Sequence, residues 1–160
     1  RYLVHLEVEL AKPSEGKTTM PGVVPLLHAL AAQPHIYLSL VTGNYREGAR
    51  IKLGHFDLWR FFRSGGFGDA AHDRLEIVYD ALAAARADGI PDASPSQAVV
   101  IGDTPFDVAC AVRSGARCIA VGTGGFAVDV LRQAGADEVF EDFSDTAAVL
   151  AAFDRLGASL

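Results

Sequence analysis

The sequence has little cysteine, no long apolar run and no excess of positive charge, and each shortage excludes a class of protein. Its two cysteines, Cys110 and Cys118, do not make a disulfide framework, and we interpret both as small core residues. No apolar stretch reaches the roughly 18–20 residues that span a bilayer, and no signal peptide is recognisable. The net charge of −6 argues against a nucleic-acid partner. We therefore expect a cytoplasmic protein without nucleic-acid or membrane partners.

The chain is rich instead in short apolar runs, which lie at 36–41, 98–101, 118–121 and 138–140, with a shorter candidate at 59–62. These runs do not alternate polar and apolar residues, so they predict parallel strands covered on both faces. Helical patterns lie between them. The strongest occupies 72–89, where Leu75, Val78, Tyr79 and Leu82 form the predicted buried stripe. The alternation from about Pro21 onwards is typical of a doubly wound α/β sheet.

Two acids follow the run at 98–101. Asp103 comes directly after Gly102, and Asp107 follows four residues later. Ligands of parallel α/β sheets bind beyond the carboxyl ends of strands, where an unpaired buried carboxylate is costly. Bound Mg²⁺ would offset that cost, because it takes oxygen ligands from one or two carboxylates, water and phosphate. Asp107 also stands at capping-box spacing from Thr104, and this structural role is compatible with a functional one.

A hydroxyl follows another predicted strand, in the segment LVTGN at 40–44. Thr42 offers its hydroxyl, and Gly43 lets backbone amides approach a phosphate closely. An ordinary turn with Thr42 as a helix cap is the alternative interpretation. Arg74, early in the strongest helix, is a candidate clamp for phosphate oxygens, or else part of a solvated helix face.

Two glycine-containing segments partly match nucleotide-binding motifs. Residues 11–18, AKPSEGKT, nearly match a P-loop, but Ala11 replaces the first glycine and no strand precedes the segment, so a linker is favoured. Gly122, Gly124 and Ala127 satisfy G-x-G-x-x-A between a predicted strand and a predicted helix. A dinucleotide-binding module therefore remains an alternative.

From about Pro21 to Asp145 the chain resembles the core domain of haloacid-dehalogenase-like (HAD) hydrolases, particularly the phosphoglycolate-phosphatase-like branch. The resemblance is carried by LVTGN, by the helix that contains Arg74, and most specifically by VIGDTPFD at 100–107 with AVRSGARCIAV after it. It implies a Rossmann-like α/β core. It also implies a Mg²⁺-dependent phosphohydrolase that acts on a small phosphorylated metabolite through an aspartyl-phosphate intermediate.

The resemblance also implies roles for particular residues. Thr42, with Gly43 and Asn44, would bind the transferring phosphoryl group, and Arg74 would neutralise charge on the phosphate. Asp103 would be a metal ligand, and Asp107 an outer acid of the metal site. Arg74 is a departure, because lysine is more common at this position of the family.

The first motif of the family, D-x-D, is absent from the 160 residues. Its first aspartate is the nucleophile, and its strand lies centrally, between the strands that end at Thr42 and near Asp103. We therefore expect the C-terminal part of a longer protein, inactive on its own, with the end of a helical cap domain and a linker at 1–16 and the HAD-like core at 17–160. The alternative hypothesis is a non-catalytic relative.

Overall fold

The computed structural model describes residues 18–69 and 73–157, in which helices and parallel strands alternate along the chain. The strands are β1 (Ser39–Thr42), β2 (Ser64–Phe67), β3 (Val99–Gly102), β4 (Arg117–Val121) and β5 (Glu138–Phe140). The helices are α1 (Val23–Ala31), α2 (Arg46–His55), α3 (Arg74–Ala87), α4 (Pro105–Ser114), α5 (Val128–Gln133) and α6 (Thr146–Arg155). The segment 1–16, predicted to be the cap remnant and linker, lies outside the described residues.

All strand pairs of the described residues are parallel, and they form two groups. Strand β1 pairs with β2, with Ser39 opposite Ser64. Strand β4 lies between β3 and β5 in a second, three-stranded group. Within the described ranges β1 and β3 do not pair with each other. The predicted α/β class with parallel strands is confirmed.

Strand β4 is covered on both faces, as its continuous apolar sequence predicts. Ile119 and Val121 belong to a core cluster with residues of α1 and α6, including Leu30 and Val149. Cys118 and Ala120 face the other side and pack with Val108 of α4 and Leu131 of α5. This period of two places helices on both faces, which defines a doubly wound arrangement.

The predicted strand at 59–62 is wrong. Trp59–Phe61 form a 3₁₀ turn with Phe61 buried, and the strand follows at Ser64–Phe67. Its sequence, SGGF, escapes prediction because glycine disfavours strands. Glycine is required here because a Cβ on Gly66 would lie 1.9 Å from the carbonyl oxygen of Ile77 in α3.

The predicted stripe on α3 is partly wrong for the same reason. The helix buries Ile77, Val78, Ala81 and Ala85, whereas Tyr79 is 45% exposed. The backbone of Ile77 and Ala81 closely approaches Gly66 of β2, so this side of the helix faces the sheet. Both cysteines are buried, as predicted, and burial raises the pKa of the Cys118 thiol to about 12. In the described part of the chain, no helix combines the length and apolarity that crossing a membrane requires.

Candidate active site

The hydroxyl of Thr42, at the carboxyl end of β1, donates its hydrogen to no residue that the structure describes. Its Oγ1 atom accepts two hydrogen bonds from Asn44, one from the backbone N at 3.1 Å and one from Nδ2 at 2.9 Å. A hydroxyl has two acceptor lone pairs and one donor hydrogen. Because both acceptor positions are filled, Thr42 can only donate to an incoming group. This arrangement suits an anion.

The loops that follow β1 and β2 are held together at the same edge. The backbone N of Gly68 donates to the carbonyl oxygen of Asn44 at 3.0 Å. A Cβ on Gly68 would lie 2.3 Å from the carbonyl oxygen of Gly43, so only glycine allows this approach. The Asp69 carboxylate accepts a hydrogen bond from the Arg46 backbone N at 2.8 Å. The loop carrying Thr42 is therefore fixed by its neighbour.

Asp103 follows β3 and presents a half-buried carboxylate. No other described residue forms a hydrogen bond or ion pair with it, so its oxygens are available to a ligand. The turn Gly122–Gly124 packs against it, and a Cβ on Gly124 would lie 2.4 Å from the Asp103 Cγ atom.

Asp107, in contrast, has both carboxylate oxygens occupied. Its Oδ2 accepts from the backbone N of Thr104 at 3.1 Å and from the Thr104 hydroxyl at 2.7 Å. The Asp107 backbone N donates to Thr104 Oγ1, which completes the capping box that the spacing predicts. Its Oδ1 accepts from Nη1 of Arg74. Asp107 therefore both caps α4 and positions Arg74.

Arg74 is the first residue of α3, which begins at the N-cap Asp73. A backbone N–H from Glu76 to the Asp73 carboxylate lowers the pKa of that acid and fixes the helix start. The Arg74 side chain is 52% exposed, and its guanidinium has five donors, of which Asp107 takes one. Several donors remain for phosphate oxygens.

The ion pair between Arg74 and Asp107 also connects the two strand groups. Arg74 follows the loop after β2, and Asp107 lies in the first turn after β3. The two groups therefore present their carboxyl ends on one side of the molecule. Strands β1 and β3 flank one cavity of about 410 Å³, whose lining includes Leu40, Val41, Val100 and Ile101.

The geometry gives the dinucleotide alternative no support. In the G-x-G-x-x-A segment, the close approach allowed by Gly124 is used by the Asp103 carboxylate. A pyrophosphate would meet negative charge at this turn. In residues 18–69 and 73–157, no three His, Cys, Asp or Glu side chains are grouped as a complete metal site.

Comparison with known proteins relates one part of the sequence to a family. A family sequence model described as HAD-hydrolase-like matches residues 68–146, which include Arg74, Asp103 and Asp107. Residues 68–146 belong to the HAD-like hydrolase family. No curated protein matches the chain.

Several solved structures share the fold of this chain. A HAD-like family hydrolase from Streptococcus pneumoniae is 23% identical, with a TM-score of 0.71 over 83% of this chain and 59% of its own. A predicted phosphoglycolate phosphatase from Haemophilus somnus 129PT is 20% identical, with a TM-score of 0.72 over 92% and 62%. A hydrolase from Pseudomonas syringae is 28% identical, with a TM-score of 0.66 over 83% and 61%. This chain thus spans about three fifths of the length of each of these proteins.

Two features of the site were missed by sequence reasoning. In the sequence, Gly124 suggests only the alternative nucleotide motif, whereas in the structure it packs on Asp103. Lys52 of α2 was not singled out, yet its Nζ donates to Asn44 Oδ1 at 2.8 Å. No motif signals the lysine, because its contact depends on how α2 packs behind the loop.

Proposed function

We propose that the intact protein is a Mg²⁺-dependent phosphohydrolase that acts on a small phosphomonoester through an aspartyl-phosphate intermediate. The observation that carries this proposal is the half-buried Asp103 carboxylate, which has no hydrogen-bond or ion-pair partner in residues 18–69 and 73–157. It lies at the edge that also holds Thr42 and Arg74. The HAD-like match over residues 68–146 supports the same chemistry. The nucleophilic aspartate lies outside these 160 residues, since they contain no D-x-D.

The donors present fit one part of a magnesium site. Mg²⁺ prefers oxygen ligands and commonly takes one or two carboxylates together with water and substrate phosphate. Asp103 has free oxygens and would be the direct ligand. Asp107 is occupied by Thr104 and Arg74, so it would act around the metal site by holding these groups. The metal would supply positive charge next to the transferring phosphoryl group.

The other site residues act on the phosphoryl oxygens. The Thr42 hydroxyl donates its hydrogen to one oxygen, with Gly43 and Asn44 forming the adjacent backbone. The Arg74 guanidinium, held by Asp107, neutralises charge that spreads over these oxygens during transfer. The bond from the nucleophilic carboxylate to phosphorus forms as the ester bond breaks, and water then hydrolyses the acyl phosphate.

We infer that the rest of the protein supplies a strand between β1 and β3. Both strands have unpaired edges in the described residues, and the cavity that they flank is apolar. Val41 and Ile101 are 41% and 39% exposed, unusual values for apolar residues of central strands. A parallel strand placed there would satisfy the backbone groups of both edges. It would end beside Thr42 and Asp103, where a nucleophile is needed.

Substrate class and location complete the proposal. The phosphoglycolate-phosphatase-like resemblance favours a small phosphorylated metabolite, with its leaving group contacted by a cap domain. Residues 1–16 would be the end of that cap domain and the linker after it. We place the protein in the cytoplasm, in keeping with its two buried free thiols.

The test is the Mg²⁺-dependent hydrolysis of p-nitrophenyl phosphate by the intact protein. Asp103→Asn is expected to lower kcat by about 100-fold or more, because a charged ligand is lost. The control is Asp129→Asn, which removes the charge of an exposed acid whose ion-pair partner among the described residues is the neighbouring Arg132 on α5. A near wild-type rate for Asp103→Asn, or turnover unaffected by chelator, would refute the metal assignment. Residues 1–160 alone are expected to be inactive.

A further inference from the structure

A three-residue hydrogen-bond chain connects a half-buried lysine to the Thr42 hydroxyl. Lys52, in the second turn of α2, donates from Nζ to Asn44 Oδ1 at 2.8 Å. Asn44 in turn donates from Nδ2 to Thr42 Oγ1 at 2.9 Å. All three side chains lie at the carboxyl end of β1, where the proposed phosphoryl site begins.

The chemistry of these groups decides which group donates and which accepts in each of these hydrogen bonds. An ammonium group has three donors and no acceptor, so Lys52 can pair only with the amide oxygen of Asn44. The amide NH₂ must then face Thr42. With its oxygen filled by Asn44, Thr42 has only its hydrogen to offer.

Loss of the lysine would leave the orientation of the Asn44 amide unspecified. An asparagine amide can rotate by 180° at little cost when nothing distinguishes its two ends. The amide oxygen would then face Thr42, and the hydroxyl would donate its hydrogen to Asn44. That hydrogen would no longer be available to an external anion.

We propose that Lys52 is a positioning residue that orients the Asn44 amide and thereby commits the Thr42 hydroxyl to donate to a phosphoryl oxygen. This inference deepens the proposed function and depends on it for the identity of the anion. Lys52 acts through Asn44 and does not need to touch the substrate.

Kinetics of the intact protein on p-nitrophenyl phosphate, with inhibition by inorganic phosphate, test the proposal. Lys52→Met is expected to lower kcat/KM by about tenfold and to weaken phosphate inhibition, since one charge-assisted hydrogen bond is lost or redirected. Lys52→Arg keeps a donor-only group, so its kcat/KM is expected to stay within about twofold of the wild-type value. Arg50→Met is the matched control, because it removes a positive charge from the same helix, one that pairs with Glu47. Its kcat/KM is expected to stay within about twofold of the wild-type value.

A double-mutant cycle separates orientation from simple charge. In an Asn44→Ala background, Lys52→Met is expected to have no further effect, because the group that it orients is gone. Additive losses would overturn the proposal, as would equal losses for Lys52→Met and Arg50→Met.

A measurement without turnover keeps this inference distinct from the proposed function. The side-chain amide signals of Asn44 in a ¹⁵N-correlated NMR spectrum are expected to shift in Lys52→Met and to stay near wild type in Lys52→Arg. Unchanged signals in Lys52→Met would overturn the positioning role even in an active phosphatase. Shifted signals in a protein without phosphatase activity would sustain the orienting contact and refute the proposed function instead.

Discussion

Gly124 lies so close to Asp103 that a Cβ on the glycine would be 2.4 Å from both the Cγ and the Oδ2 atoms of the acid. Real Cβ contacts are never this short, so a side chain at position 124 must displace the carboxylate. The turn after β4 thus shapes the space around an acid that follows β3. The backbone that follows β4 therefore positions Asp103, the proposed metal ligand that follows β3.

Gly124→Ala should therefore impair the proposed metal site, although the substitution leaves the ligand Asp103 itself in place. We expect at least about a tenfold loss of Mg²⁺-supported activity, since ångström-scale displacement of a reacting or ligating group has effects of this size or larger. Raising the Mg²⁺ concentration should restore part of the activity. Initial rates measured against Mg²⁺ concentration test this.

The control for this substitution is Gly54→Ala. A Cβ on Gly54 meets no atom within 4 Å, and the residue lies inside α2, where alanine is the better helix former. Gly54→Ala should be neutral or slightly stabilising, with unchanged Mg²⁺ dependence. Equal Mg²⁺ curves for Gly124→Ala and the wild type would contradict the proposed role of the contact.

Thr104 should contribute measurable stability through the capping box. Thr104→Ala removes the acceptor of the Asp107 backbone N and the donor to Asp107 Oδ2. The free energy of unfolding should fall by about 1 kcal/mol, as is usual for the loss of an N-cap. Urea denaturation at pH 7 measures it. Thr104→Ser keeps the hydroxyl and should lose much less, so equal losses for the two variants would argue against capping as the cause.

The segment around β3 and α4 could be predicted well because its signals are local. The apolar run, the pair Gly102-Asp103, Thr104 as cap and Pro105 at the first helical position all lie within a few residues, and the structure has the strand and helix where they indicate. A capping box depends only on residues three apart, so sequence specifies it directly.

The features that escaped prediction depend on tertiary contacts. Strand β2 has two glycines in four residues, and only its packing on α3 explains them. The pairing of Arg74 with Asp107 joins residues 33 apart, and that of Lys52 with Asn44 requires the turn into α2. Sequence patterns indicate which residues are candidates for chemistry, whereas the mutual orientation of these residues emerges from how neighbouring elements pack.

Gly66→Ala should be among the most destabilising single substitutions in the chain. Its Cβ would lie 1.9 Å from the Ile77 carbonyl oxygen, which belongs to helix backbone and cannot rotate away. Separation of β2 from α3 should lower the free energy of unfolding by about 3 kcal/mol or more. Urea denaturation compares it with Gly54→Ala, and similar midpoints for the two variants would refute this close approach.

Cys118 should make stability fall in alkaline solution. Its side chain is fully buried, and that burial, with smaller contributions from Asp137 and Asp107, raises the thiol pKa to about 12. In the unfolded chain a thiol ionises near pH 8.5. The native state therefore holds its proton more tightly, and the associated stability is complete below about pH 8.5 and is lost as the pH rises toward 12.

Urea denaturation of the wild type and of Cys118→Ala between pH 7 and 10.5 measures this effect. The variant should be less stable at pH 7, because it loses a buried sulfur atom. The stability difference should shrink above about pH 9, by up to about 1.4 kcal/mol per pH unit, because only the wild type has this thiol to deprotonate on unfolding. Taking the difference cancels the titration of other groups that the two proteins share. A difference that stays constant across this range would show that the thiol ionises alike in both states.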